Sequence, residues 1–294
     1  IFNSMKKQSD KLMTDLQRLL ETKDLKTKDE VFKFMNSIMG QKIPSFPKEI
    51  LSFKEQAQDL VYAAYDLNHL KAKANIEKAL KLDPDCIEAY EFLGSAEQTV
   101  EIAIALYEKG ISIGRRIFGG KYMDEHKGMF WGFHETRPFM RCLQHYADCL
   151  YIMGKVKDCV AILEEMIELN PNDNQGVRDQ LLLYLIQLNE SKKFLKYSKM
   201  YQDDCMAFSL FNRALFAFKT EGENEKSNKL LLKALKQNKF VAKRILSGKP
   251  IKKLANYYSA GDENEADYYV SFAQHIWIIT EGAKEWLRKN STKL

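Results

Sequence analysis

Apolar residues recur at helical spacing along most of this chain, and the pattern itself repeats. Leu143, Tyr146, Ala147 and Leu150 fall on one face of a first helix, Gly154 breaks it, and Cys159, Leu163 and Met166 mark a second helix that Pro171 stops. The same offsets moved by 34 residues give Val177, Gln180, Leu181 and Tyr184, then Lys193, Tyr197 and Met200. Moved again, they give Phe211, Ala214, Leu215 and Phe218, then Gly222, Ser227, Leu231 and Ala234. Each unit is thus two antiparallel helices whose apolar face is too large to bury alone, so stacked neighbours complete the core. Ala147, Ala214 and Ala234 let helix axes approach, whereas Lys193 and Ser227 stand where a small apolar residue is expected. The middle unit, 174–207, therefore fits least well.

Two looser units precede these. Ala72, Ile76, Ala79 and Pro84 repeat the second-helix spacing after an apolar pattern from Ala57 to Leu67. Tyr90, Leu93 and Gly94 then open a unit that Ala103, Tyr107 and Gly110 close. From Arg115 to Arg137 the register breaks. This segment carries Gly119, Gly120, Gly128 and Gly132 beside Phe118, Tyr122, Phe130, Trp131 and Phe133, and such an insertion is either functional or a packed plug. At the start, Ser9 to Leu20 and Thr27 to Met39 read as amphipathic helices, the second opened by the capping box Thr27-Lys28-Asp29-Glu30, and Pro44 and Pro47 mark a linker. After Pro250, Ser259-Ala260-Gly261-Asp262 turns the chain into one long helix near Glu263 to Thr280, and a short Gly282 to Arg288 helix ends it.

The period and its helix-pair pattern resemble the tetratricopeptide repeat (TPR). That resemblance implies an all-α, TPR-type superhelix, a solenoid of antiparallel helix pairs with helical caps at both ends. Its parts would be a cap at 1–50, two helix pairs at 51–114, the insertion at 115–139, three repeats at 140–241 and capping helices at 242–294. A narrower resemblance rests on Ala79-Leu80-Lys81-Leu82-Asp83-Pro84-Asp85-Cys86 followed by Ala103 to Gly110. It continues in Gly261-Asp262, Glu265-Ala266, Trp277 and Glu281-Gly282-Ala283. These runs resemble the repeat region of the suppressor-of-tumorigenicity family seven. Glu135-Thr136-Arg137-Pro138 and the run from Asn170 to Arg178 are similar to motifs of bacterial TPR proteins of unassigned role. Both resemblances imply a repeat fold and no established biochemical activity. The better-known members of the first family have membrane segments, so location is not carried over.

Composition agrees with helices: 14 Gly and 6 Pro are few for a chain of 294 residues with 45% hydrophobic residues. Five dispersed cysteines, Cys86, Cys142, Cys149, Cys159 and Cys205, form no CxxC pair and read as reduced thiols of a cytoplasmic protein. The opening Ile1-Phe2-Asn3-Ser4, with the first Met at position 5, fits either a fragment or added leading residues and is no basic-then-apolar leader. The longest apolar run, Leu181 to Ile186, is far short of the roughly 20 residues that span a bilayer, so no membrane partner is expected. Net charge is only +5, yet nine lysines and Arg244 lie between Lys226 and Lys253 without an acid, at helical spacing. A solvated helix face explains them, and nucleic acid on this basic C-terminal third is the weaker alternative.

Catalytic motifs such as GxGxxG, GxxxxGK[ST], GxSxG and HExxH are missing, so neither an enzyme nor a cofactor is expected. Cys142, His145 and Cys149 share one helix face, but three ligands on one helix cannot surround a tetrahedral ion, so no metal is assigned. Thr136 and Pro138 suit a helix start, and Asp173 and Asn174 suit the cap of another. Close to the insertion, His134, Glu135, Arg137, Arg141 and His145 form a candidate group, with the arginines able to clasp a carboxylate or phosphate. That group supports a second reading, a small-molecule or metal site under the insertion.

In TPR proteins the first helix of each unit lines the concave surface. Its non-core positions here are Gln144, His145, Asp148 and Tyr151, then Arg178, Asp179 and Leu182, then Asn212, Arg213, Phe216 and Lys219. TPR proteins that clamp chaperone C-terminal carboxylates carry Lys, Asn, Asn, Lys and Arg at five such positions. This chain has Gln144, Asp148, Asp179, Ser209 and Arg213, and two acids would repel that ligand. The expected partner is instead a protein that lays a peptide or helix segment in this groove.

Overall fold

The computed structural model describes residues 2–43, 46–251 and 253–292; Pro44 of the expected linker and Lys252 of the basic stretch lie outside them. Among the described residues there are sixteen α-helices, one 3-10 turn and no strand. The fold is all-α and built from helix pairs. It divides into two compact units, Ile1–Lys155 with Glu168–Asn172, and Val156–Ile167 with Asp173–Leu294.

In the first unit α1 (Phe2–Glu21) and α2 (Lys28–Ile38) precede the 3-10 turn Lys48–Ile50 and α3 (Phe53–Ala64). There follow α4 (His69–Leu82), α5 (Ile87–Ala96), α6 (Val100–Ile117), α7 (Lys121–His126) and α8 (Arg137–Ile152). The capping box at Thr27 and Glu30 forms, and Ser52 with Glu55 makes a second one. Helix α3 pairs with α4 and α5 with α6, over a small-residue core of Ala57, Val61, Ala64, Ala72, Ile76, Ala79 and Ala89. Glycine lets α6 lie close to α8: a Cβ at Gly110 would sit 2.8 Å from Cys142 Sγ, and one at Gly114 would enter the Phe139 ring. Phe139 is fully buried and cannot retreat. Gly114→Val is therefore expected to destabilise the first unit by roughly 1–3 kcal/mol, the cost of overpacking, read as a lower urea midpoint. An unchanged midpoint would show that α6 and α8 slide apart freely.

Helix α6 runs to Ile117, so the insertion begins inside a helix rather than at 115. The rest of it is a plug. Phe118, Phe130 and Phe139 meet with ring centroids 6.1–6.3 Å apart, and Tyr122 lies edge-on to Phe130 at 6.0 Å. Thr136 stands at the N-cap of α8 but does not cap it; its hydroxyl bonds to the carbonyls of Phe130 and Phe133 and ties the plug down.

The second unit holds most of α9 (Val156–Leu169), then α10 (Val177–Gln187), α11 (Ser191–Met200), α12 (Ala207–Glu221), α13 (Glu225–Gln237), α14 (Phe240–Ser247), α15 (Glu263–Ile279) and α16 (Ala283–Ser291). The misfit at Lys193 has a backbone cause. Gly154 and Gly222 take positive φ at equivalent turn positions, but Leu188 stands at the third, and the positive φ moves one residue on to Asn189. Asn tolerates this conformation and Leu does not. Helix α11 starts at Ser191, Phe194 lies inward, and Lys193 points out to Glu164 at 2.6 Å. Ser227 is buried for a different reason, being the reciprocal partner of Asn224 in the capping box of α13.

Helix α10 is apolar on every side because α11, α12 and α15 all pack on it, which explains the buried run Leu181 to Ile186. Helix α15 thus lies on the face that α10 and α12 present, besides contacting α14 and α16. Trp277, fully buried, donates its indole N–H to Tyr269 at 2.8 Å. No helix among the described residues is long and apolar enough to cross a membrane.

Candidate functional site

In the first unit, α3, α5 and α8 are the first helices of successive pairs, and their common face holds a buried ionic cluster. Arg141 of α8 reaches Glu88 at 3.1 Å and Glu91 at 3.4 Å on α5, both almost wholly buried. Gln58 of α3 donates to Glu88 at 2.7 Å and Tyr65 to Glu91 at 3.3 Å. Burial opposes the charge on Arg141, but Glu88, Glu91 and Asp10 outweigh it and hold its pKa above the usual value.

Asp10 comes from α1, which lies against α3. Its carboxylate bridges Arg137 at 2.6 Å and Arg141 at 2.9 Å. Further along α1, Thr14 meets the Tyr62 hydroxyl at 3.2 Å, and Arg18 meets Glu55 at 3.1 Å and Asp59 at 3.0 Å. The two arginines read from sequence as a carboxylate clasp do hold a carboxylate, one supplied by the chain itself. Leu12 and Met13 stay exposed while Leu16, Leu19 and Leu20 are half-buried, so charge, hydrogen bonds and partial apolar burial together fasten the described part of α1.

Of the other residues of the insertion-proximal group, His145 also reaches this cluster, lying 3.7 Å from Glu91, which Arg141 holds. His134 pairs with Glu135 at 3.3 Å, and His145 stacks on Tyr107 with centroids 5.3 Å apart. A cavity of about 370 Å³ opens nearby, lined by Thr14, Arg18, Glu55, Tyr62 and Glu88 among others, and His134 and Glu135 of the group reach it. Cys142 and Cys149 are buried core thiols, and among the described residues no three His, Cys, Asp or Glu are placed to hold a metal ion. Gln144, Asp148 and Tyr151 lie half-buried on α8.

In the second unit most expected groove residues fasten helices together. Arg178, expected to face the groove, spans Asp173 and Asp204 at 2.9 Å each and lies 5.4 Å over Tyr201. Asp173 adopts φ 48° and accepts the backbone N–H groups of Val177 and Arg178, so it caps α10 as expected. Arg213 donates to the carbonyls of Ser198, Tyr201 and Gln202 at the end of α11, Phe216 stacks on Phe194 at 3.9 Å, and Lys219 binds the Ile186 carbonyl at 2.7 Å. Each long α12 side chain thus satisfies or covers its neighbour, because helix ends leave carbonyls without partners. Leu182 is buried.

Asp179 behaves differently. It is half-buried, and burial first, then Asp204, Asp173 and Glu265, raise its pKa to about 7 against the opposing charge of Arg178. Asn212, fully buried on α12, donates to the Asp179 backbone carbonyl at 3.4 Å. On the basic stretch, Lys226, Lys229, Lys233 and Lys236 form an exposed stripe, and Arg244 is held by Asp267 at 2.6 Å and Glu263 at 2.9 Å.

No family model matches this chain, and no curated protein does. Among solved structures it is similar to YrrB, a TPR protein with an unusual peptide-binding site, at TM-score 0.45 and 20% identity over 69% of this chain and 91% of that one.

Proposed function

We propose that the protein is a non-catalytic TPR scaffold whose first-helix faces hold helical or peptide segments of a protein partner. The observation that carries this reading is the seating of α1 on α3 and α8 through Asp10, Thr14 and Arg18. That is the helix-in-groove mode of recognition, performed within one chain. Charged contacts at Asp10 and Arg18 make α1 an exchangeable occupant in this reading, and a partner segment carrying an acid at the position of Asp10 would meet the same two arginines.

The test places a photo-crosslinking residue at Gln58 or Gln144, on first helices, and at the exposed Lys78 or Lys109 on second helices. Asp10→Lys, which sets like charges together, is expected to loosen α1 and increase capture of protein at the first-helix positions. Equal capture at both sets, or none at Gln58 and Gln144 in either form, would end this reading.

A further inference from the structure

Three carboxylates gather at the start of α10, and they are not equally occupied. Asp173 and Asp204 share the Arg178 guanidinium. No described side chain forms a hydrogen bond or salt bridge with the Asp179 carboxylate. Glu265, which also faces Asp179, is fully buried and accepts four donors of its own: the backbone N–H groups of Ala207 and Gly261 and the side-chain amides of Gln237 and Asn238. Asp179 is thus the one acid here with an open valence, on a residue that is itself only half-buried.

On α12, whose Asn212 touches the Asp179 backbone, two acceptors are also without partners among the described residues. Asn212 is 0% exposed, its amide nitrogen lies on the Asp179 backbone carbonyl, and its Oδ1 has no hydrogen-bond partner among the described residues. Ser209, 2% exposed and one helical turn earlier, has an Oγ in the same state. Buried polar atoms without partners are rare in folded proteins, and each calls for an explanation, such as a bound water, ion or ligand group. The half-exposed ring of Tyr258 stands at the rim. Burial, Asp179 and Glu265 together raise its pKa and keep it a neutral phenol.

We propose that Asp179, Asn212 and Ser209 form a pocket for a primary ammonium group on the first-helix face of the second unit, a proposal that rests on the reading of these faces as binding surfaces. The chemistry selects ammonium over guanidinium. An ammonium offers three donors around one point, matching one carboxylate and two neutral oxygens, whereas a guanidinium needs a planar fork of acceptors. The pair suited to such a fork, Asp173 and Asp204, already holds Arg178. The ammonium is that of a partner's lysine side chain or of a free diamine; both present the same head group.

The experiment uses the full chain, calorimetry at pH 8, and three probes: acetyl-Ala-Ala-Lys-Ala-Ala-amide, the same peptide with norleucine for lysine, and 1,5-diaminopentane. Binding of an amine but not of the norleucine peptide is expected, and Asp179→Asn should weaken it at least about tenfold, the loss of one charged hydrogen bond. Asn212→Leu should weaken it likewise; should that variant fail to fold, the nearly isosteric Asp179→Asn decides alone. Because Asp179 takes up a proton near pH 7, binding should weaken from pH 8 to pH 6. The groups that face it throughout are Arg178, Asp173, Asp204, Glu265 and Tyr258. Binding of the lysine peptide alone assigns the pocket to a protein partner, and binding of the diamine assigns it to a free amine. Heat from neither amine, or equal affinity in Asp179→Asn, overturns the pocket. Crosslinking at Gln58 or Gln144 that succeeds while amine binding fails removes the pocket and leaves the scaffold; the reverse removes the scaffold.

Discussion

Arg141→Ala is expected to destabilise the first unit by roughly 3–5 kcal/mol, because removing one member of a buried ionic cluster leaves the others charged and without compensation. Glu88 and Glu91 lie inside the face formed by α3, α5 and α8 and cannot turn to water, and Asp10 would keep only Arg137. Amide hydrogen exchange in α3, α5 and α8 reads the loss locally, which suits a repeat array whose parts open separately. Adding Glu88→Gln and Glu91→Gln to the arginine variant should recover much of it, since the uncompensated charges are then gone. A loss under about 1 kcal/mol would mean that water reaches the cluster and that it is an ordinary surface ion pair.

That cluster also marks the limit of what pattern alone reveals. The period was legible because Leu143, Ala147, Leu181, Phe211, Ala214 and Leu215 meet the same stacked neighbours, and all are buried. Helix-pair identity followed, although Thr136 does not cap α8, the turn before α11 moves to Asn189 and α1 begins at Phe2 rather than Ser9. The occupants of the first-helix faces were hidden, because Asp10 acts on residues more than 120 positions away and no local spacing encodes that pairing. A partial signal existed: Glu88 and Glu91 place two acids three residues apart in a helix that is otherwise largely apolar, Ile87 to Ala96. Two acids on an inward face call for a cation, and Arg141 supplies it. The groove assignments on α12 went the other way. Arg213, Phe216 and Lys219 were read as ligand-facing because they fall outside the 34-residue core pattern. Long side chains at such positions instead reach back to the carbonyls and rings of α10 and α11. Position in a repeat fixes direction from the helix axis; it does not fix how far a flexible side chain bends.

Glu265→Ala is expected to cost the second unit about 3–6 kcal/mol, since the carboxylate satisfies four donors from three places in the chain at once. It accepts from the backbone of Ala207 at 2.8 Å, from Asn238 at 2.8 Å, from Gln237 at 3.1 Å and from the backbone of Gly261 at 2.6 Å. These groups lie at the start of α12, at the end of α13 and in the turn before α15. Truncation leaves them buried together without an acceptor, each at a cost of roughly 1–3 kcal/mol less whatever relaxation recovers. Glu265→Gln should fall between, because one oxygen remains while the new amide faces donors. The glutamine variant has a second consequence at the proposed pocket. Glu265 is one of the acids that raise the Asp179 pKa, so removing its charge should move the Asp179 titration downward, measurable by carboxyl carbon NMR. A fall in stability without that movement would separate the two roles and show that Glu265 orders the helices without acting on Asp179.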